Sequence, residues 1–167
     1  MALSQDIEAM IERLRSSDDE VKLQELIDTT PLEAHTFQPT SSDWSMVRIL
    51  QHLGDVEEMR HMRFNRMLTE DNPILDVVPG TPGERDSGDA RVLLARWRRL
   101  RRESLDTLFA LSEEQWHRVG TQLPDPQVNR TAPAPTSVLR EAHKIDHHSA
   151  DHLQQMQRNY ETYKQSK

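Results

Sequence analysis

Four of the eight histidines lie within ten residues of one another near the C-terminus: His143, His147, His148 and His152. His148 and His152 are four positions apart, so in a helix their side chains stack on one face, one turn apart. Two imidazoles in this arrangement can bind one metal ion, but a stable site needs at least a third ligand. The spacing therefore predicts a metal site and calls for another ligand elsewhere in the chain.

The third ligand candidate, His52, lies on a different amphipathic segment. A helical wheel of the C-terminal segment places His148 and His152 at the border of its apolar face, while His147 points to water and His143 is intermediate. His52 has the same bordering position on its own segment. A histidine from one bundle helix facing an i, i+4 pair from another can complete a three-nitrogen site. The inward face of the C-terminal segment consists of Leu139, Ala142, Ile145, Ser149, Leu153, Met156 and Tyr160.

Simpler interpretations of these histidines remain open at this point. A single histidine on a helix is usually a solvent-exposed polar side chain, and a histidine-rich tract can bind metal adventitiously. The pattern also differs from H-E-x-x-H, because Ser149 and not glutamate follows His148. A zinc metalloprotease would therefore lack its general base here.

The composition limits the class of protein. The chain has 167 residues, a formal net charge of −7 and no cysteine. The absence of cysteine excludes disulfides, thiolate zinc sites and a cysteine nucleophile. No apolar run reaches the ~18 residues of a membrane span and the N-terminus is no signal peptide, so we expect a cytoplasmic protein. An acidic chain lacks the field that attracts nucleic acid or anionic membranes, so neither is expected as a partner. The expected partner is a small-molecule substrate.

Hydrophobic periodicity predicts helices and no strand, in one domain over residues 1–167. The connections at residues 72–88 and 117–135 are predicted to be irregular, and such long loops often carry function. The helices are expected from Ser4 to Arg15, from a Ser17–Glu20 capping box to a point before Thr30-Pro31, from Trp44-Ser45 to about Leu68, from Asp89 to about Leu111, over one turn at 112–116, and from Thr136 or Ser137 to about Tyr163.

Several motifs occur in a fixed order along the chain. Trp44-Ser45 is followed by His52-Leu53 with the pattern W-S-x6-H-L, and His148 begins the pattern H-x3-H-L-x-Q. Glu57 and the Trp97 helix, which ends in the segment 111–116, lie between them. This ordered set resembles the DinB-like superfamily, the DNA-damage-inducible type of metal-binding bundle, over about residues 21–163.

The resemblance implies an all-α fold: an up-down four-helix bundle of DinB-like type, here with an extra short N-terminal helix. It also implies a divalent metal ion, zinc or nickel, held by three histidines that map to His52, His148 and His152. Characterised relatives include transferases and isomerases that use low-molecular-weight thiols such as bacillithiol or mycothiol. Arg48 and the proline-rich loop before the last helix depart from the family pattern, so the resemblance does not predict the substrate.

Three neutral imidazoles leave a bound ion with an open position, which is the pattern of catalytic sites. Such an ion can lower the pKa of bound water to about 7 or bind and deprotonate a substrate thiol. We therefore expect a metal-dependent enzyme, either a thiol S-transferase or a hydrolase. The alternative is a non-catalytic bundle that binds a metal or a partner.

Charged residues near the predicted site have more than one interpretation. Glu57 and Arg60 turn toward the apolar face of their helix and are expected to form a partly buried ion pair; a proton-transfer role for Glu57 is the catalytic alternative. Asp55, one turn from His52, is expected to be solvated.

The Arg96–Arg102 segment contains five arginines and is expected to be a solvated face or an interface, with binding of an anionic substrate or of nucleic acid as alternatives. Trp44, Trp97 and Trp116 are expected to pack in the core and at helix ends. A homodimer through bundle faces is a further expectation, since the methionine- and arginine-rich helices could leave surface for a second copy.

Overall fold

The computed structural model describes residues 3–75, 88–125 and 129–167, apart from the side chain of Asp146. Most of the predicted loop at residues 72–88 thus lies outside the described residues. The helices are α1 (Gln5–Ser16), α2 (Asp19–Thr29), α3 (Leu32–His35), α4 (Met46–Thr69), α5 (Ala90–Phe109), α6 (Glu113–Trp116) and α7 (Val138–Gln165), and the strands are β1 (Ile74–Leu75), β2 (Val119–Gln122) and β3 (Ala134–Ser137).

The helices begin where side chains can accept hydrogen bonds from the free backbone N–H groups of the first turn. The Ser45 hydroxyl accepts from the Arg48 N–H and the Asp89 carboxylate from the Arg91 N–H. The Ser137 hydroxyl caps α7 in the same way. The capping box predicted at Ser17 is wrong: α2 begins one residue later, with Asp18 at the N-cap and no side-chain cap bond.

Two clusters of buried apolar residues show how the helices run. One cluster joins the first halves of α4 and α5 to the last part of α7 and to α2. The other joins the ends of α4 and α5 to the first part of α7 and to α1. Helices α4 and α5 are therefore parallel and α7 is antiparallel to both. Helices α1 and α2 follow one another along the remaining edge, so the predicted four-helix bundle with a short N-terminal helix is confirmed. Its helix order departs from a simple up-down arrangement, because the consecutive long helices α4 and α5 run parallel.

Five of the seven residues predicted for the inward face of α7 are buried, and the other two, Leu139 and Tyr160, are half-buried. Ala142, Ile145, Ser149 and Met156 are fully buried, and Leu153 is nearly so. Ser149, the one polar residue predicted for this face, is hydrogen-bonded although it is buried. Its hydroxyl donates to Asp19 Oδ2 at 2.7 Å. This bond joins α7 to the start of α2.

The prediction that the chain contains no strand is wrong, because three short strands form a sheet at one end of the bundle. Strand β2 is central, with β1 parallel on one side and β3 antiparallel on the other. Pro135 lies on the edge strand β3, where its missing N–H costs no ladder bond on the open side. Gly120 of β2 lies against Leu75 and Met67, which joins the sheet to the end of α4.

The prediction that residues 117–135 are irregular is wrong where β2 and β3 form. Strand β3 leads directly into α7. None of the described helices is long and apolar enough to cross a bilayer.

Candidate metal centre

The tertiary structure brings His52 of α4 together with His148 and His152 of α7. One ring nitrogen of each histidine lies within 4.8 Å of the others. The Nε2 atoms of His52 and His148 are 3.2 Å apart. Two nitrogen ligands on one zinc ion at tetrahedral geometry are about 3.3 Å apart, since each bond is about 2.0–2.1 Å. The spacing of these two atoms therefore suits ligation of a single ion.

The remaining histidines of the C-terminal tract do not join this group. His143 and His147 are exposed on the outer face of α7. His35 is buried, and its Nε2 lies 2.8 Å from the Thr30 hydroxyl. This local hydrogen bond provides the buried ring with a polar partner. Across the described residues, the three histidines of α4 and α7 form the single cluster with metal-ligand geometry.

The three imidazoles are held in the neutral form that binds metals. Burial, together with the positive charge that His152 and Arg60 contribute, lowers the pKa of His52 to about 4. Burial and the nearby Arg60 guanidinium lower the pKa of His148 further, to about 2. Burial also lowers the pKa of His152, although a hydrogen bond with Gln155 opposes the shift. All three rings therefore offer a lone pair at neutral pH.

Gln155 orients one of these rings. Its Oε1 lies 3.0 Å from His152 Nδ1, where it accepts the Nδ1–H and leaves the Nε2 lone pair free for a ligand bond. No role for Gln155 is predicted from the sequence. The available signal was its position as the final glutamine of the H-x3-H-L-x-Q pattern, three residues after His152 on the same helix. By contrast, the buried His148 Nδ1 has no hydrogen-bond partner among the described residues.

Trp44 forms one wall of the site. Its ring lies edge-on to His52, with centroids 4.9 Å apart, and stacks on His152 at 6.2 Å. The Asn159 side chain donates to the Trp44 carbonyl at 2.7 Å and so ties the start of α4 to the end of α7. The sequence prediction of helix-end packing for Trp44 missed this contact with the histidines.

The two other tryptophans pack as predicted. Trp97 and Trp116 are 1% and 0% exposed and lie in the two apolar clusters of the bundle.

The predicted ion pair between Glu57 and Arg60 is wrong. Glu57 Oε2 accepts from Arg101 Nε of α5 at 2.9 Å, and both side chains are buried. Arg60 is left with two buried nitrogens, Nε and Nη1, that have no partner among the described residues. The tertiary contact with α5 decides the pairing, because Arg101 approaches Glu57 across the α4–α5 interface. Among the described residues, Glu57 does not line the cavity described below and forms no hydrogen bond with a histidine.

Asp55 is half-buried and bonded to Arg96 at 2.8 Å, so it is neither solvated nor a partner of His52 by hydrogen bond. The other arginines of the Arg96–Arg102 segment are likewise paired with carboxylates, and this face is not a free basic surface. The pairs are Arg98–Glu20, Arg99–Glu103, Arg101–Glu57 and Arg102–Glu20.

A cavity of about 510 Å³ adjoins the histidines. His52 and His148 form part of its wall, so a small molecule in the cavity would reach the site between the rings. Other parts of the wall come from α4, from the β2–β3 region and from the first half of α7. The polar and charged lining residues besides the histidines are Arg60, Arg63, Gln122, Asp125, Arg130, Arg140, Glu141 and Lys144.

Comparisons with known proteins agree with this architecture. The model of the DinB superfamily matches residues 17–156. The structure is similar to that of YfiT from Bacillus subtilis, described as a probable metal-dependent hydrolase with an unusual four-helix bundle topology, with a TM-score of 0.75 and 17% sequence identity; the match covers 95% of this chain and 88% of that one. At this identity the similarity demonstrates a shared fold. No curated protein matches the sequence significantly.

Proposed function

The chain belongs to the DinB superfamily, and from this premise we propose that it is a metal-dependent enzyme acting on a small molecule. In this proposal one divalent ion, zinc or nickel, is held by His52, His148 and His152. The observation that carries the proposal is the convergence of one ring nitrogen from each of these histidines within 4.8 Å. Structural zinc sites have four protein ligands, whereas three leave a position for substrate or water.

The local chemistry of the three rings supports metal binding. Their lowered pKa values keep them neutral at physiological pH. The hydrogen bond from His152 to Gln155 selects the tautomer with a free Nε2. When bound, an ion at such a site supplies Lewis-acid chemistry at its open position. In this proposal the histidine side chains supply the ligand nitrogens, the Trp44 ring excludes water, and the residues that line the cavity position the substrate.

Hydrolysis is the reaction that we propose first. The fold is shared with YfiT, which is described as a probable metal-dependent hydrolase. The cavity beside His52 and His148 has a size suited to a small substrate. Transfer of a low-molecular-weight thiol is the second candidate. The chain has no cysteine, so in this reaction the thiolate nucleophile would come from a cosubstrate.

Metal titration of matched variants tests the ligand assignment. Zinc and nickel are titrated into chelator-treated wild type, His148→Ala and His147→Ala, with heat of binding as the readout. We expect one ion per chain in the wild type and in His147→Ala, because His147 is exposed on the outer face of α7. In His148→Ala the metal affinity should fall by at least about 100-fold. Loss of a residue that only hydrogen-bonds to a ligand can already weaken binding by up to about 100-fold, and loss of a direct ligand should cost at least as much. Equal affinities of the two variants would contradict the proposed site.

The two reactions differ in the source of the nucleophile. We expect the metal-loaded protein to hydrolyse members of an ester and amide panel without added thiol, whereas an S-transferase would consume electrophiles only with a thiol such as bacillithiol or mycothiol present. A non-catalytic bundle, the remaining alternative, would bind the ion and turn over neither panel. Circular dichroism with and without the ion then distinguishes a structural metal, since its removal would unfold the protein.

A further inference from the structure

Arg60 carries a buried guanidinium group that forms no ion pair with a carboxylate of the described residues. The residue is only 5% exposed. Its Nε and Nη1 atoms have no hydrogen-bond partner among the described residues. A buried charge is costly unless it is paired and hydrogen-bonded, so an unpaired buried arginine requires an explanation.

The neighbouring carboxylates are already bonded to other cations. Glu57, one turn before Arg60 on α4, is bonded to Arg101 at 2.9 Å. Glu141 of α7 is bonded to Arg63 at 3.2 Å. The buried charges around Arg60 thus contain one more guanidinium than carboxylate. The missing negative charge is not supplied by the described part of the protein.

Arg60 lines the cavity that also contains His52 and His148. Among the described residues, five cationic and two anionic side chains line this cavity, although the protein as a whole has a net charge of −7. A cavity with an excess of positive charge inside an acidic protein concentrates anions. A divalent ion at the adjacent histidines would add to this positive charge.

We propose that Arg60 binds the oxyanion group of the substrate, so that the substrate is a small molecule carrying a carboxylate or a phosphate. The guanidinium fork can donate two parallel hydrogen bonds to either group. The anion supplies the charge that Glu57 and Glu141 do not. Its binding in the cavity orients the rest of the substrate toward the histidines. The identity of Arg60 as an anion site is independent of the metal, whereas its role in a reaction rests on the proposed function.

The stability of Arg60 variants distinguishes a binding role from a structural one. Replacing an unpaired buried charge by an apolar side chain of similar length removes a desolvation cost. Arg60→Met is therefore expected to fold with a melting temperature equal to or above that of the wild type. A residue kept for the stability of the bundle would behave in the opposite way.

The test uses acetate and inorganic phosphate as probes at constant ionic strength, with binding measured by calorimetry. Chelator-treated protein is used first, so that no metal competes for the anion, and the zinc-loaded protein follows. Loss of charged hydrogen bonds should weaken binding of the preferred probe by about 10- to 100-fold in Arg60→Met. Arg60→Lys, which keeps the charge without the fork, should be intermediate. Arg99→Met serves as the control, because it removes the same charge from an exposed arginine outside the cavity.

The outcomes separate this inference from the proposed metal site. Tighter binding of acetate than phosphate by the wild type assigns a carboxylate substrate, and the reverse assigns a phosphate. The inference is wrong if neither probe binds the wild type, if Arg60→Met binds the probes as tightly as Arg99→Met does, or if Arg60→Met is strongly destabilised. Failure of zinc to bind would instead refute the metal proposal and leave the anion titration of the chelator-treated protein as a separate result.

Discussion

Replacement of Glu141 by glutamine tests how the start of α7 is anchored to the bundle. Glu141 has a side chain that is 0% exposed. One of its oxygens accepts from Gln122, Thr136 and Lys144, at 2.7, 2.9 and 2.6 Å, and the other accepts from Arg63. This carboxylate therefore connects α7 to α4 and to the sheet, two helical turns before His148.

The expected loss of stability in Glu141→Gln follows from the charges that stay buried after the substitution. Removing one partner of a buried ion pair costs about 3–5 kcal/mol, because the other charge stays buried. Glutamine keeps the size of the side chain and a carbonyl that can accept from Gln122 and Thr136. Lys144 is 41% exposed and can turn to water, so Arg63 accounts for most of the cost. We expect the lower end of the range, about 3 kcal/mol, or about 6–12 °C in melting temperature for a chain of this size.

Thermal unfolding followed by circular dichroism at pH 7 measures the effect. Glu103→Gln is the matched control, because Glu103 pairs with Arg99 on the surface, where both side chains are largely exposed. An exposed pair of this kind contributes at most about 1 kcal/mol. If Glu141→Gln has the same melting temperature as Glu103→Gln, the buried ion pair of Glu141 does not stabilise the fold more than the exposed pair of Glu103.

The pH dependence gives a second check on Glu141. Burial tends to raise the pKa of this carboxyl, but Lys144, Arg63 and the hydrogen bond from Thr136 outweigh it and hold the pKa below the ordinary value of 4.5. A depressed folded-state pKa stabilises the fold above the unfolded pKa, and this stabilisation is lost as the pH falls through the folded value. The difference between wild type and Glu141→Gln should therefore be constant from pH 7 to about pH 5 and shrink below 4.5.

Two further predictions concern the metal centre and the sheet. Gln155→Leu removes the acceptor for His152 Nδ1–H and should weaken zinc binding by about 10- to 100-fold with little change in melting temperature, while the exposed Gln154→Leu should bind zinc as the wild type does. Gly120→Ala should lose about 1–3 kcal/mol in urea unfolding, because the new Cβ would lie 2.9 Å from a Leu75 methyl in the buried contact of the sheet. Gly54→Ala is its control, since its new Cβ would meet only the flexible end of Arg96; a loss equal to that of Gly120→Ala would contradict the packing argument.

Local features of the sequence were sufficient for the helices and for the choice of histidines. Apolar residues at helical spacing predicted the long helices, and Ser45, Asp89 and Ser137 marked their starts within a residue or two. Wheel position separated His148 and His152 from His143 and His147, because the border of an apolar face is where a ring can be partly buried and still reach a ligand. These inferences depend on neighbours within one or two turns of the same helix.

Pairing between distant segments was decided only by the tertiary structure. The strands β1 and β2 lie more than 40 residues apart in the chain, and each is too short to show a periodicity of its own. Glu57 faces Arg60 on one helix, yet it bonds to Arg101, because the parallel packing of α4 and α5 brings that guanidinium across the interface. The same packing leaves Arg60 without a partner among the described residues, in the cavity beside the histidines.

The sequence by itself thus determined the long helices and three candidate ligands, since both depend on local periodicity. The distance between those ligands, the tautomer imposed on His152 and the uncompensated charge of Arg60 depend on how the helices pack. Side chains on different helices compete for the same partners, and only the folded arrangement decides which pairs form and which charge is left for a ligand.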